Sequence, residues 1–172
     1  MTTPLLPYLN KDQLEAGVDE AGRGCLMGRV YAAAVVLPQE FPDEYYREIR
    51  DSKKLSAKKR YALQEYIQAV AISYGVGYAT PAEIDQHNIF HANQMAMHRA
   101  IDNLSVTVDN LLVDGNHFKA YFDKEGNFSN HQCVVKGDNT YLSIAAAGIL
   151  AKCARDTYIK ELLAEHPEWE MY

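Results

Sequence analysis

Four acidic residues stand out in this sequence because of where they fall. Asp19 and Glu20 end an apolar segment and run directly into Ala21-Gly22-Arg23-Gly24. Asp114 closes the stretch NLLVD and precedes Gly115, and Asp138 ends Lys136-Gly137-Asp138, just ahead of a run of small residues. Neighbouring residues of a regular strand face opposite ways, so Asp19 and Glu20 serve one site only if the chain bends there, which the glycines permit. Brought together, such carboxylates repel one another and resist ionising, and they would also repel a phosphate. Divalent cations relieve both difficulties. Mg²⁺ takes hard oxygen ligands from a few carboxylates and keeps positions for water and phosphate oxygens. Two such ions about 4 Å apart can activate a water and stabilise the leaving oxygen of a phosphoryl transfer. The same residues also fit a plainer role as solvated strand ends or helix caps, and composition alone does not choose between the two.

The elements that must position these residues follow from the pattern around them. Glu15–Asp19 reads as a short strand, and Val30–Leu37 as a strand buried on both faces. A helix over about Ser56–Val70 turns Leu63, Ile67 and Val70 inward and its basic residues outward. Ile72–Ala79 is strand-like, rich in aromatic and β-branched residues but interrupted by Gly75 and Gly77. Thr80-Pro81-Ala82-Glu83 carries three agreeing helix-start signals, and a longer helix follows over about Ile89–Leu104. Asn110–Asp114 is a strand, 116–131 a polar loop, Gln132–Lys136 a short strand, and Thr140 to about Glu165 a helix whose small residues allow close packing on a sheet. Hairpin strands followed by strands alternating with helices predict an α/β fold, a mixed sheet flanked by helices.

Composition sets the outer bounds. A chain of 172 residues with 48% apolar and 23% charged residues fits one folded domain rather than a disordered one. The net charge of -6 argues against coating nucleic acid by bulk attraction but leaves room for a local basic or metal-bearing site. Cys25, Cys133 and Cys153 lie far apart and form no CxxC pair, which suits free thiols in a reducing compartment. His87, His91, His98 and His117 fall in no metal-binding motif. With no basic-then-apolar leader and no segment near the ~18 apolar residues of a membrane span, the cytoplasm is the expected location.

Taken in order, DEAGRG at 19–24, DSKKLS at 51–56, EIDQHNI at 83–89, AMHRA at 96–100, LVDG at 112–115, KGD at 136–138 and SIAAAGILAKCARD at 143–156 resemble the successive motifs of type 2 ribonuclease H (ribonuclease HII). Any one of them is weak, but the ordered set is specific. The resemblance covers about Glu15 to His166. It implies the ribonuclease H fold, a five-stranded mixed sheet with helices on both faces. It also implies an endonuclease that hydrolyses the RNA strand of RNA–DNA hybrids on the 5′ side of ribonucleotides at RNA–DNA junctions, by two-metal-ion catalysis with Mg²⁺ or Mn²⁺. By the same resemblance Asp19, Glu20 and Asp114 hold the metals and Asp138 is the fourth acidic residue of the site. Gly22, Arg23 and Gly24 match the segment that feels the ribose 2′-OH, a role that suits glycine because backbone can approach a sugar where no side chain intervenes. Lys136 and Ser143 resemble phosphate-contacting positions. A monomer is the family-like state.

Other features carry two readings each. Lys53, Lys54, Lys58, Lys59 and Arg60 either grip phosphates or form a solvated helix face. Lys152, Arg155 and Asp156 either belong to the site or pair along one helix, the second being preferred for Asp156. Met95, Ala96, Arg99 and Ala100 read as core packing with one charged exit. Gly22-x-Gly24-x-x-x-Gly28 superficially matches a dinucleotide fingerprint, but an apolar strand follows where a helix is required, and Asp19-Glu20 would repel a pyrophosphate.

The chain also departs from the family pattern. Members usually continue into a GYxT segment and a histidine, with a tyrosine that stacks on the sugar beside the cut. This sequence ends at Trp169-Glu170-Met171-Tyr172. It is therefore read as one catalytic domain over 1–172, short at its C-terminus, and Tyr172 is not given the sugar-sensing role. Positions 25 and 29 hold Cys and Arg, where small residues or proline are more usual. A hybrid-binding domain without useful turnover, and a phosphohydrolase of small esters, are the competing readings. Cleavage of a duplex containing one ribonucleotide separates them.

Overall fold

Val30–Val36 is apolar along its whole length, and every residue of it is buried. That requires a sheet covered on both faces. The computed structural model describes residues 4–24 and 28–170; Cys25 and Tyr172, noted above, lie outside them. Five strands form the sheet: β1 (Glu15–Ala21), β2 (Val30–Val36), β3 (Ser73–Ala79), β4 (Asn110–Asp114) and β5 (Asn130–Val134). Their spatial order is β3-β2-β1-β4-β5. β1 pairs antiparallel with β2, and β2 with β3, whereas β4 pairs parallel with β1, and β5 with β4. The mixed five-stranded sheet expected from the motif order is what the chain forms.

Three helices cover it: α1 (Ala57–Val70), α2 (Pro81–Asp102) and α3 (Leu142–Glu165). On one face Ala92, Ala96, Met97, Ala100 and Ile101 of α2 pack on Ala16, Val18, Ala32, Ala34 and Val113. On the other, Leu63 and Ile67 of α1 and the Ala145–Ala151 stretch of α3 pack on Ala33 and Val35. Burying Leu63 and Ile67 stabilises the fold by roughly 1.5–3 kcal/mol each. Small residues set how closely the layers approach. A Cβ at Gly17 of β1 would sit 2.2 Å from the Ser143 carbonyl carbon of α3, and one at Gly75 of β3 would sit 2.2 Å from the Ala100 oxygen of α2. The glycines that interrupt β3 are therefore where α2 lies against it.

The caps behave as their chemistry dictates. Ser56 Oγ accepts from the Lys59 N–H at the start of α1. Thr80 and Glu83 form a reciprocal capping box at the start of α2, satisfying donors that a helix start leaves unpaired. α2 is kinked at Asn88 (φ 69, ψ 168), and the Asn88 Oδ1 accepts from the His91 N–H at 3.1 Å. The longer helix beginning near Ile89 is thus a second helical segment with its own cap.

Two expectations are corrected. β1 does not stop at Asp19: Glu20 pairs with Ala32 and Ala21 with Tyr31, so the bend invoked to bring Asp19 and Glu20 onto one face is absent. The strand expected over 132–136 runs Asn130–Val134, and Lys136 adopts a left-handed turn conformation (φ 55, ψ 41). There the Gly137 N–H donates to Asp114 Oδ1 at 2.8 Å, which pulls the chain out of the sheet.

Candidate metal centre

β1 and β4 are parallel neighbours with Val18 opposite Val113, so Asp19, two residues before the end of β1, and Asp114, the last residue of β4, follow side by side. Asp19 shares the face of its partner Ala33, toward α3. Beyond β5 the turn at Lys136 leads into the short 3-10 segment Gly137–Asn139, which returns Asp138 to the same place. One carboxylate oxygen from each of Asp19, Asp114 and Asp138 lies within 4.8 Å of the other two. Glu20 falls outside this set. It shares the face of Ala32, on the α2 side, though burial and then the nearby Asp114 carboxylate raise its pKa.

Burial and mutual repulsion dominate the electrostatics of the site. Burial, then the neighbouring Asp114 and Glu20 carboxylates, raise the Asp19 pKa well above the usual range, against the opposing hydrogen bond from the Glu20 N–H. Burial followed by Asp114 and Asp51 raises the Asp138 pKa, with Lys53 working the other way. Carboxylate oxygens gathered this closely fit a hard divalent ion, and among the described residues the set holds no cysteine or histidine.

Sequence reasoning passed over the residue that organises one wall. Asp51 is 4% exposed, and its carboxylate accepts from the Lys53 N–H at 3.0 Å and the Asn139 Nδ2 at 3.3 Å. The same Asn139 Nδ2 lies 3.3 Å from Asp138 Oδ1, and Lys53 Nζ reaches both Asp51 (3.5 Å) and Asp138 (3.4 Å). These contacts outweigh burial and lower the Asp51 pKa; likewise the two carboxylates outweigh burial and raise that of Lys53. The DSKKLS segment carrying Asp51 is itself fixed by Arg60, whose guanidinium donates to the Ser52 and Leu55 carbonyls and pairs with Asp156 at 3.5 Å. Asp156 also meets Lys152 at 2.9 Å, which is the intrahelical pairing preferred for it. A buried acid in a lysine-rich run was the available signal.

The glycine turn after β1 leaves the same end of the sheet. Gly22 has φ +97, and a Cβ there would strike the Arg155 side chain at 2.3 Å, so this position excludes larger residues for reasons internal to the chain. Gly24 is different. A Cβ there meets none of the described residues within 4 Å, and Arg23 beside it is exposed.

The ribonuclease HII family model matches residues 16–171. The chain belongs to the ribonuclease HII family. It is 54% identical over 166 residues to the ribonuclease HII of Phocaeicola vulgatus, an alignment covering 96% of this chain and 79% of the relative. Its fold is similar to the ribonuclease H2 of Pyrococcus horikoshii OT3 (TM-score 0.73, 28% identity, 88% of this chain and 76% of that one). It also resembles an Archaeoglobus fulgidus RNase HII crystallised with PCNA (TM-score 0.70, 27% identity, 88% and 77%). The remaining site candidates are spread around the carboxylates. Lys53 contacts Asp138 directly. Lys136 is exposed in its turn, and Ser143 is buried in the first turn of α3 where that helix meets Gly17. Among the other basic residues Lys54 bonds Asn139 at 2.8 Å and Lys59 pairs with Glu48. Ala96 and Ala100 are core, and Arg99 exits to pair with Glu83. No helix among the described residues is long and apolar enough to cross a membrane.

Proposed function

We propose that this chain is a ribonuclease H acting on the RNA strand of RNA–DNA hybrids, cutting 5′ of a ribonucleotide at RNA–DNA junctions. The observation that carries this is the convergence of Asp19, Asp114 and Asp138 within 4.8 Å, at the end of the sheet from which the Gly22–Gly24 turn leaves. Asp19 and Asp114 would hold Mg²⁺ or Mn²⁺, with Asp138 as the third acid and Glu20 reaching in from the adjoining face. When bound, two such ions supply the positive charge that admits a phosphate, activates water and stabilises the departing 3′ oxygen.

The protein's own residues do the rest. Glu20 and Gly137 backbone N–H groups fix the Asp19 and Asp114 carboxylates at 2.8 Å each. Asp51, through Asn139 and Lys53, orients Asp138. Gly22, Arg23 and Gly24 offer backbone to the ribose 2′-OH, the group that distinguishes RNA from DNA at a given site. Lys53, which contacts Asp138, and Lys136 and Ser143 would serve as phosphate contacts. We take the working unit to be a monomer of one catalytic domain over 1–172, acting in the cytoplasm.

The test is cleavage of a duplex holding a single ribonucleotide, beside an all-DNA duplex, with Mg²⁺ or Mn²⁺ and in excess chelator. Cleavage 5′ of the ribonucleotide, abolished by chelator and absent on DNA, is expected. Undiminished cleavage in chelator would remove the metal mechanism. Tight hybrid binding without cleavage would leave a binding domain instead.

A further inference from the structure

Arg29, where the family pattern has a small residue or proline, is held in an unusual way. Its Cζ lies over the Tyr78 ring at 4.1 Å and over the Tyr158 ring at 4.5 Å, and its Nη1 donates to the Tyr31 hydroxyl at 3.1 Å. The three rings come from β3, α3 and β2, and Tyr31 contacts both others at centroid distances of 5.4 and 5.8 Å. Gly28 makes room for the arrangement, since a Cβ there would lie 2.7 Å from Tyr158. Among the described residues no carboxylate pairs with Arg29; the ion pairs of the chain lie elsewhere. In a protein with net charge -6 it is a fixed cation with no paired anion among the described residues.

Its position relates it to the glycine turn. The Arg29 carbonyl accepts from Arg155 Nε at 3.2 Å, and both groups border Gly22. Tyr31 pairs with Ala21, on the face that carries Asp19, about 7 Å further along the strand. The cation therefore stands at the carboxylate end of the sheet, on the carboxylates' own face. With rings engaging its π surface and one N–H used on Tyr31, the guanidinium has its edge left to offer, and that planar fork matches a phosphate. Stacking also pre-organises it, so little side-chain freedom is lost on binding.

We propose that Arg29 is a substrate-binding residue that grips a backbone phosphate of the nucleic acid beside the glycine turn. This deepens the nuclease reading above and rests on it for the identity of the ligand. A phosphate contact is blind to sequence and releases counterions, so it is read by salt dependence rather than by base preference.

The experiment measures binding of a fluorescent RNA–DNA hybrid by anisotropy across a salt series in Mg²⁺. Arg29→Gln and Arg29→Lys are compared with their parent in an Asp114→Asn background that suppresses turnover. Arg29→Gln is expected to bind roughly tenfold more weakly and to flatten the log K against log salt slope by about 0.9. Arg29→Lys keeps the charge and is expected to restore the slope. In the cleaving protein Arg29→Gln should raise KM and spare kcat. Unchanged affinity and slope in Arg29→Gln would overturn the proposal, and so would weaker binding with the parent slope, which would mean lost packing. If Arg29→Gln melts too low to assay, a slope in Arg29→Lys flattened by that same amount overturns it as well. A parent that binds hybrid but never cuts it defeats the nuclease reading, while the slopes still decide Arg29.

Discussion

Gly148 of α3 offers a perturbation whose effects on folding and on the site have opposite signs. A Cβ at this position would lie 2.7 Å from Asp19 Oδ2, whereas ordinary contact begins near 3.4 Å. Gly148→Ala therefore displaces that carboxylate oxygen by about 0.7 Å, because the helix is locked on β1 through Gly17 and cannot retreat. Asp19 has little freedom to absorb the push, since its other oxygen accepts the Glu20 N–H at 2.8 Å. The helix itself prefers alanine by roughly 0.5–1 kcal/mol. Misplacing a reacting group by ~1 Å costs on the order of 100-fold in rate. We expect Gly148→Ala to melt at or near the parental temperature, to bind Mg²⁺ or Mn²⁺ more weakly by calorimetry, and to cleave a single-ribonucleotide duplex some 10- to 100-fold more slowly. Parental cleavage and metal affinity in a well-folded Gly148→Ala would refute the placement of Asp19 as a ligand against α3.

Three further outcomes are expected. Asp114→Asn keeps an oxygen to accept the Gly137 N–H but loses the charge, so turnover should fall by orders of magnitude with circular dichroism unchanged; near-normal rates would exclude it as a ligand. Asp51→Asn should lower kcat only about tenfold, because it loosens Lys53 and Asn139 rather than removing a ligand, and a loss as large as that of Asp114→Asn would make Asp51 part of the metal set. The pH dependence of stability in chelator should divide by sign. Asp19, Glu20 and Asp138 hold protons more tightly folded than unfolded, so stability from these groups is present below about pH 4 and is lost as pH rises through their raised values. Glu83, held down to about 2 by Arg99 and then Thr80, contributes above its ordinary value of 4.5 and loses that contribution as pH falls toward 2. Denaturation midpoints of parent and Asp19→Asn should diverge on the alkaline side, the parent falling more steeply; parallel curves would contradict the burial of an ionisable Asp19.

How much of this was legible depended on the range of the forces involved. Local patterns translated directly: the apolar run of β2, the capping box at Thr80, and the small residues of α3 each specify a period, a cap or a close approach that a few neighbouring residues decide. The carboxyl ends of parallel strands likewise pointed to Asp19 and Asp114, since strand order alone brings such ends together. Glu20 was harder, because its adjacency to Asp19 promised a shared site only through a bend, and the ladder to β2 holds the strand straight through Ala21. Asp51 and Arg29 were not assigned for a different reason. Asp51 meets Asn139 across 88 residues, and the rings around Arg29 come from positions 31, 78 and 158. No period or spacing records such pairings. They exist only after the sheet has brought β3 beside β2 and laid α3 across both. A lysine-rich loop and an arginine in place of proline look like ordinary solvent-facing charge until the fold supplies their partners. What the fold supplies beyond the sequence is the set of polar partners around Asp138 and Arg29.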